Sequence, residues 1–489
     1  MVSMQANTGH SKKNFVSSTT LLLFFSALLI RLPFFFRDYI DGDESTFILM
    51  GQSVADGYLP YDRLWDLKPP MLFYLFGLIE YVFPHSFFAI RFFGVLAIFG
   101  SSMILLNIAR AAGMKNGLLV ALSYVILSSM FGSVQGVMSE HIAVFFMLAG
   151  LLFFIKNKTA LNLFIAGMLF GCAVLCKMNY GYAIPAILLY HFIAGRPQGI
   201  VALVKNAAWP VAGTLLIFLL AASPFLIHDK WKLFFDSVFL APLEYSRAMH
   251  IPFLLKLKKT WWVIVAVSGL SFFTFKKTRQ KLPSLSILIV LTTVYTFFST
   301  GAVNGHYLVQ VYPFIAILVF GFLIPKEFDP SVPKLAIFVF LISVESMIEY
   351  YRLGKHYHEE GTLYNGRSVY ANNVLKAKGL ASGKIFFADY HIGYWSLRQY
   401  PLTKSTTHPS NIIRPYLFKY FGAGNSNSMQ ELKYILNEIG PDIIVSKYDY
   451  LAMFNKGTAE NLYADSVMAD RYRIIQEDPV KRIYIWQKR

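Results

Sequence analysis

Long apolar runs alternate with short polar gaps over the first two thirds of the chain, and the pattern then changes. A membrane-crossing helix needs about 20 mostly apolar residues. Runs near that length fall at 18–36, 87–109, 117–135, 141–155, 160–176, 180–194, 208–227, 260–275, 284–301, 307–324 and 335–351. They predict a mainly α, polytopic membrane domain over residues 1–351 with about 11 spans by that length rule. The first run is longer than the apolar stretch of a signal peptide and lacks a small-residue cleavage site, so it reads as a retained helix. Between the first two runs lies a long loop, 38–86. Its polar opening gives way to the apolar segment Met71–Phe83, too short to span and suited to the membrane interface. From residue 352 to 489 polarity rises. Strand-like runs at Lys384–Ala388 and Asp442–Ser446, a helical stretch at Met429–Ile439, and a hairpin pattern predict a small α/β domain outside the membrane. In the hairpin, Tyr472–Gln476 and Arg482–Trp486 flank Glu-Asp-Pro-Val.

Composition agrees with the pattern. Of 489 residues, 55% are hydrophobic and 15% charged, against about 25% charged in soluble domains. This excludes a disordered chain or a small disulfide scaffold. The only cysteines, Cys172 and Cys176, share one helix face as small hydrophobes and offer too few donors for zinc. The net charge of +17 would suggest nucleic acid on a soluble protein. Here lysines and arginines flank apolar runs, so membrane lipids and phosphates are the expected partners, and nucleic acid is not.

Charge placement also orients the chain. With Lys12 and Lys13 cytoplasmic, Arg110 and Lys115, Lys156 and Lys158, and Arg196 and Lys205 fall on the same side. So do Lys276, Lys277, Arg279 and Lys281, and Lys326 and Lys334. The N-terminus is thus expected inside the cell (inner) membrane and the C-terminal domain outside it. Segment 228–259 runs against the rule, since it carries Lys230, Lys232, Lys256, Lys258 and Lys259 yet lands outside.

The scarce charges inside this frame are the candidates for chemistry. The first outer loop reads Asp41-Gly42-Asp43-Glu44, then Tyr58-Leu59-Pro60-Tyr61-Asp62, then Trp65-Asp66-Leu67-Lys68-Pro69-Pro70. A carboxylate at the outer mouth of a helix could take a proton from an attacking hydroxyl or amine, or hold a divalent cation. Equally, the acids could cap a helix starting near Ser45 and the lysine could snorkel. Glu140 lies between two apolar helices, where an ionisable group is costly and usually marks a site, although a helix-start glutamate facing water is the competing reading. Lys177 and the Gly305-His306-Tyr307 turn, with Gln310 beyond it, end or open apolar runs on the same expected side. Their cations could neutralise a leaving phosphate, or simply belong to the interfacial belt. His356, His358, Glu359 and Glu360 look metal-like, but no further ligand is evident and a solvated linker is the simpler reading. Walker, His-Glu-x-x-His and Gly-x-Ser-x-Gly motifs are absent, which argues against ATP-driven transport.

Taken in order, Asp43-Glu44, Gly57-Tyr58-x-Pro60-Tyr61, Trp65-x-x-Lys68-Pro69-Pro70, Arg91, Ser139-Glu140 before Phe145-Phe146, Lys177 with Pro185, and His306-Tyr307 with Pro313 form a recognisable series. It resembles the GT-C class of membrane glycosyltransferases, most nearly the bacterial branch of glycosyltransferase family 39, which includes protein O-mannosyltransferases and is similar to aminoarabinose transferases. The resemblance covers about residues 15–325. It implies transfer of a sugar from a polyprenyl-phosphate donor, with inversion, to an acceptor lipid, glycan or protein at the outer membrane face. It also implies Asp43 as the essential acid and base, with Glu44 beside it and Glu140 as the acid of the next outer loop, where many relatives carry aspartate. Lys68, Lys177, His306, Tyr307 and Arg91 then stand toward the donor phosphate and lipid, and Tyr61 and Trp65 in the substrate loop. No cofactor is required, while Asp43 with Glu140 leaves room for a divalent metal. A polytopic transporter or flippase for a lipid-linked saccharide is the alternative.

Overall fold

The computed structural model describes residues 9–156, 159–195, 199–248, 251–277, 281–300, 304–324, 330–421 and 424–489. Lys158, Arg196, Arg279 and Lys326, expected on the cytoplasmic side, lie outside the described residues. The chain opens with α1 (Gly9–Arg31), followed by α2 (Gly42–Ala55) and α3 (Pro70–Val82) in the first outer loop. The bundle continues through α4 (Phe87–Ala111), α5 (Gly117–Leu127), α6 (Ser139–Lys156), α7 (Ala160–Cys176), α8 (Ala183–Gly195) and α9 (Ile200–Ile227). Short α10 (Trp231–Phe235) and α11 (Ala241–Ala248) lead into α12 (Phe253–Lys277), α13 (Lys281–Thr300), α14 (Tyr312–Ala316), α15 (Val332–Ile342) and α16 (Val344–Glu360). Helix α7 packs between α6 and α9, while α4 joins α1, α5 and α6. Apolar side chains such as Leu78, Tyr81, Phe83, Leu219 and Phe340 face outward, the arrangement expected where lipid replaces water as solvent.

Eleven continuous spans are not what the described residues display. Four stretches, Ser18–Phe36, Phe87–Ala111, Val201–Ile227 and Leu282–Ser299, are long and apolar enough to cross. The remaining runs are short or interrupted. The run expected at 117–135 stops as α-helix at Leu127 and resumes as a 3-10 turn at Gly132–Gln135. The run at 180–194 is preceded by a 3-10 turn at Met178–Tyr182. The run at 307–324 is split into a 3-10 turn at Gly305–Gln310, the single turn α14, and a π-helical segment at Ile317–Leu323. Apolar periodicity cannot see such breaks, because the residues stay hydrophobic across them. The breaks are nonetheless organised: Gly132–Gln135 packs on Gly305–Gln310, which also packs on α6. Irregular backbone at this depth is tolerated where protein covers it or it lines a cavity.

The C-terminal region holds a four-stranded sheet in the order β1-β2-β4-β3, from β1 (Ile385–Phe387), β2 (Ile443–Ser446), β3 (Tyr472–Asp478) and β4 (Ile483–Lys488). β1 runs parallel to β2, and the other two pairings are antiparallel. All four strands lie where the apolar patterns predicted them, and the stretch expected at Met429–Ile439 is helical, with its second half in π form. The expected division at 351/352 falls inside the continuous helix α16, whose polar second half stays exposed. The His356, His358, Glu359 and Glu360 group sits on that exposed half, with Lys355 paired to Glu359 at 3.7 Å.

This domain sits directly on the first outer loop. The Val369 N–H donates to Asp38 at 2.7 Å, Trp395 Nε1 to Glu80 at 3.0 Å, and the Trp65 N–H to Thr407 Oγ1 at 3.3 Å. Segment 228–248 joins the same side through Lys230 with Asp62 (2.7 Å) and Lys419 with Glu244 (3.2 Å). Of its lysines, Lys230 thus stands beside the loop with Asp62 as its acid partner. Loop, segment and C-terminal domain pack against one another. Burial pushes the Asp38 carboxyl up to about 6, even though backbone N–H groups bond it.

Candidate active site

The site begins with the cap of α2. The Asp41 carboxylate accepts the Asp43 N–H at 2.8 Å and, with its other oxygen, the Ser133 hydroxyl at 2.6 Å. This is N-capping as Asp performs it, and it also ties the loop to the break after α5. Successive helical residues point about 100° apart, so Asp43 and Glu44 leave the first turn in different directions.

Asp43 keeps part of its side chain exposed. Its Oδ2 lies 2.8 Å from Lys68 Nζ and its Oδ1 3.3 Å from His408 Nε2. Burial opposes ionisation of this carboxyl, but Lys68 and His408 outweigh it and hold it well below the usual carboxylate range. Burial likewise works against the charged lysine, and Asp43 with Asp66 more than offsets it, keeping Lys68 above the ordinary lysine range.

Lys68 is held from both sides. Its N–H donates to Asp66 at 3.2 Å, and its carbonyl accepts the Tyr61 hydroxyl at 2.8 Å. Pro69 and Pro70 follow, fixing the backbone as α3 begins. Tyr61 adopts φ 70°, an uncommon conformation for a bulky residue that its complete burial maintains. The two loop helices, one carrying Asp43 and the other following Lys68, approach closely at two glycines. A Cβ on Gly51 would lie 2.7 Å from Phe76 Cβ, and one on Gly77 only 2.6 Å from Val54 Cγ1.

A second carboxylate–ammonium pair lies behind the first. Glu140 and Lys177 meet at 2.6 Å, and Ser139 Oγ donates to the other Glu140 oxygen at 3.0 Å. Lys177 lies over the Tyr307 ring, 4.5 Å from its centroid. Lys68 lies within electrostatic reach of both Glu140 and Tyr307. His306 is buried beside them with its Nε2 unbonded. The breaks in the helices therefore bring together Asp43, Lys68, Glu140, Lys177, His306 and Tyr307.

Four other candidates are placed differently. Glu44 and Arg91 bind each other through two contacts of 2.7 and 2.8 Å, with side chains 1% and 0% exposed. Glu44 also accepts the Val137 N–H at 2.7 Å, and Arg91 donates to the Phe34 carbonyl at 2.5 Å. Beside them, Arg31 donates to the carbonyls of Ser128, Val134 and Gly136. A Cβ on Gly136 would lie 2.9 Å from Glu44. This knot frames the site and offers nothing to a ligand. Tyr61 and Trp65 are equally sealed: the first braces Lys68, and the second donates from Nε1 to Ser237 Oγ at 3.0 Å.

His408 is the residue that sequence reasoning missed. It arrives from the C-terminal domain, in a Thr-Thr-His-Pro-Ser segment without a distinctive signature. As for a metal, no three His, Cys, Asp or Glu side chains among the described residues form a group able to hold one. Asp43 Oδ2 and Glu140 Oε1 each face an ammonium group.

Comparison with known proteins bears on this geometry. A family profile described as dolichyl-phosphate-mannose-protein mannosyltransferase matches residues 67–228, which include Lys68, Arg91, Glu140 and Lys177. No curated protein matches the chain. Among solved structures, ArnT from Cupriavidus metallidurans in the apo state aligns with TM-score 0.59 at 13% identity, covering 97% of this chain and 98% of that one. The same enzyme bound to undecaprenyl phosphate aligns with TM-score 0.56 at 14% identity, covering 98% of each. An oligosaccharyltransferase of Archaeoglobus fulgidus, tethered with an acceptor peptide, gives TM-score 0.47 at 11% identity over 95% of this chain and 72% of that one. The chain has the GT-C fold of multi-pass membrane transferases and resembles family 39. The family match and the shared fold indicate a glycosyltransferase.

Proposed function

We propose that this protein transfers a sugar from a polyprenyl-phosphate donor to an acceptor at the outer face of the cell membrane, with inversion. The observation that carries the reading is the pair of carboxylate–ammonium couples, Asp43 with Lys68 and Glu140 with Lys177, at the meeting of broken helices and the first outer loop. Displacing a lipid phosphate builds negative charge on the leaving oxygens, which preorganised cations stabilise. The acceptor needs a base on the other side. The donor phosphate draws Lys68 and Lys177 to itself, and Asp43, relieved of its ammonium partner, becomes basic enough to take the acceptor's proton. The acceptor oxygen or nitrogen bonds to the anomeric carbon, the bond from that carbon to the phosphate oxygen breaks, and polyprenyl phosphate departs. One direct displacement inverts the anomeric centre and requires no carboxylate nucleophile. The undecaprenyl phosphate bound by ArnT supports this donor class. The outer face of α3, with its exposed Leu78, Tyr81 and Val82, is suited to contact the prenyl chain. Acceptor lipid, glycan or protein hydroxyls all satisfy the chemistry. No metal step enters it.

The test supplies purified protein in lipid with a panel of radiolabelled polyprenyl-phosphate sugars and candidate acceptors, and reads the product's anomeric configuration by NMR. Transfer with inversion is expected. Movement of the lipid across the bilayer without transfer would instead identify a flippase, and retention would overturn the single displacement. Cysteines placed at exposed Arg63 and Lys378 should both react with an impermeant reagent from outside intact cells. Protection of both would reverse the assigned orientation.

A further inference from the structure

We propose that His408 is a positioning residue, lent by the C-terminal domain to orient the Asp43 carboxylate for proton transfer. The inference rests on the reading of Asp43 as base, and it gives the domain a part in the reaction that the membrane helices cannot supply.

The tautomer follows from hydrogen-bond chemistry. His408 Nδ1 lies 3.1 Å from the Ser410 backbone nitrogen and 2.7 Å from Ser410 Oγ. A backbone N–H can only donate, so Nδ1 accepts and carries no proton. The proton therefore resides on Nε2, which faces Asp43 Oδ1 at 3.3 Å. The following residue is Pro409, and His408 takes the extended conformation (φ −127°, ψ 126°) to which a residue before proline is restricted. The Ser410 bonds thus fix the ring, and Pro409 fixes the backbone that carries it.

A second layer holds the arrangement against α2. The His391 ring lies 5.8 Å from that of His408, and its Nε2 bonds Thr46 Oγ1 at 3.0 Å, one turn beyond Asp43. Burial pushes His391 down to about 3, so it stays neutral there. The groups facing Asp43 are Lys68 and His408 in contact, His391 and Tyr39 further off, and Asp41 on its own turn.

The division of labour between the two oxygens is the substance of the inference. Oδ2 is held by Lys68, a group that the donor phosphate draws away. Oδ1 is held by a neutral imidazole on which the phosphate has no comparable claim. When Lys68 turns to the donor, the carboxylate keeps one fixed partner and its freed oxygen stays aimed at the acceptor. Without His408 it loses both partners at the moment it must act.

The experiment uses full-length protein in lipid discs. Histidine ¹⁵N resonances of the wild type, with His408 assigned by its loss in H408Q, should report a neutral ring protonated on Nε2. A proton on Nδ1 overturns the inference without any variant's activity. Infrared titration of the Asp43 carboxyl, taken as wild type minus D43N, should move to higher pH in H408L and return toward wild type in H408Q, whose amide can donate. An unmoved titration in H408L overturns it. In the transfer assay, H408L should lower kcat roughly ten- to a hundredfold, the weight of a hydrogen bond to a charged group, with donor KM within about twofold and H408Q recovering most of the rate. Equal losses in folded H408L and H408Q overturn it. If wild-type protein transfers no sugar at all, the base reading fails, while the two spectroscopic measurements still decide what His408 does to Asp43.

Discussion

Asp43 and Glu44 are consecutive residues with the same chemistry and opposite surroundings. Asp43 keeps 22% of its side chain exposed, between a lysine from the same loop and a histidine from another domain. Glu44 is 1% exposed and fully engaged by Arg91 and the Val137 N–H. One residue's rotation around a helix separates the carboxylate that can react from the one that holds α2, α4 and the Gly132–Val137 segment together. The pairing of an acid with a base therefore says little about function by itself. What distinguishes the two sites is access, and whether the partner can leave. Lys68 is a flexible ammonium that an anion can recruit, whereas Arg91 is locked to Glu44 and the Phe34 carbonyl with nowhere to go.

The largest expected effect that would break this contrast falls on the sealed pair. E44A leaves the Arg91 guanidinium charged and unpaired in a dry pocket, which typically costs about 3–5 kcal/mol. Thermal unfolding should show a large fall in stability, while whatever protein remains folded keeps its donor affinity. A normal unfolding midpoint with lost catalysis would move Glu44 from frame to chemistry. Next, K68M removes a cation assigned to the donor phosphate, and a hydrogen bond to a charged group is worth about 1.5–3 kcal/mol. Donor KM should rise roughly ten- to a hundredfold, by the tenfold-per-1.4 kcal/mol rule, and unchanged donor KM would contradict the assignment.

A pH series sharpens the comparison further. The Asp43 carboxyl is lower in the folded protein than its unfolded value near about 4. Its contribution to stability is therefore complete above that value and is lost as pH falls through the lowered one. The stability advantage of wild type over D43N should be constant at neutral pH and shrink only on acidification. An advantage that grows toward acid would reverse the sign. The smallest effect is W65F, which leaves Ser237 without the indole N–H and should cost about 1 kcal/mol, read as a slightly lower unfolding midpoint with unchanged kcat.

Much of this was legible in the residue pattern. Apolar runs marked the bundle, strand-like runs and a hairpin pattern marked all four C-terminal strands, and the order Asp43, Lys68, Glu140, Lys177, His306 picked out side chains that the fold does bring together. What stayed hidden has physical causes. Breaks such as those at Gly132–Gln135 and Gly305–Gln310 leave hydrophobicity unchanged, so apolar periodicity alone does not reveal them. Glu44 and Arg91 looked reactive because charge is rare in an apolar chain, and only their mutual burial assigns them to the frame. His408 was invisible because its meaning comes from a contact across 365 positions of sequence, between the first turn of α2 and a loop in a polar domain.

The central claim is that Asp43 takes the acceptor's proton. It is tested most directly by single-turnover transfer from a preloaded labelled donor in D43N, compared with wild type of matched unfolding midpoint. General-base catalysis contributes about 10²- to 10⁴-fold, so the chemical step in D43N should slow by at least about a hundredfold with donor binding retained. A D43N enzyme that transfers sugar at the wild-type rate would contradict the account.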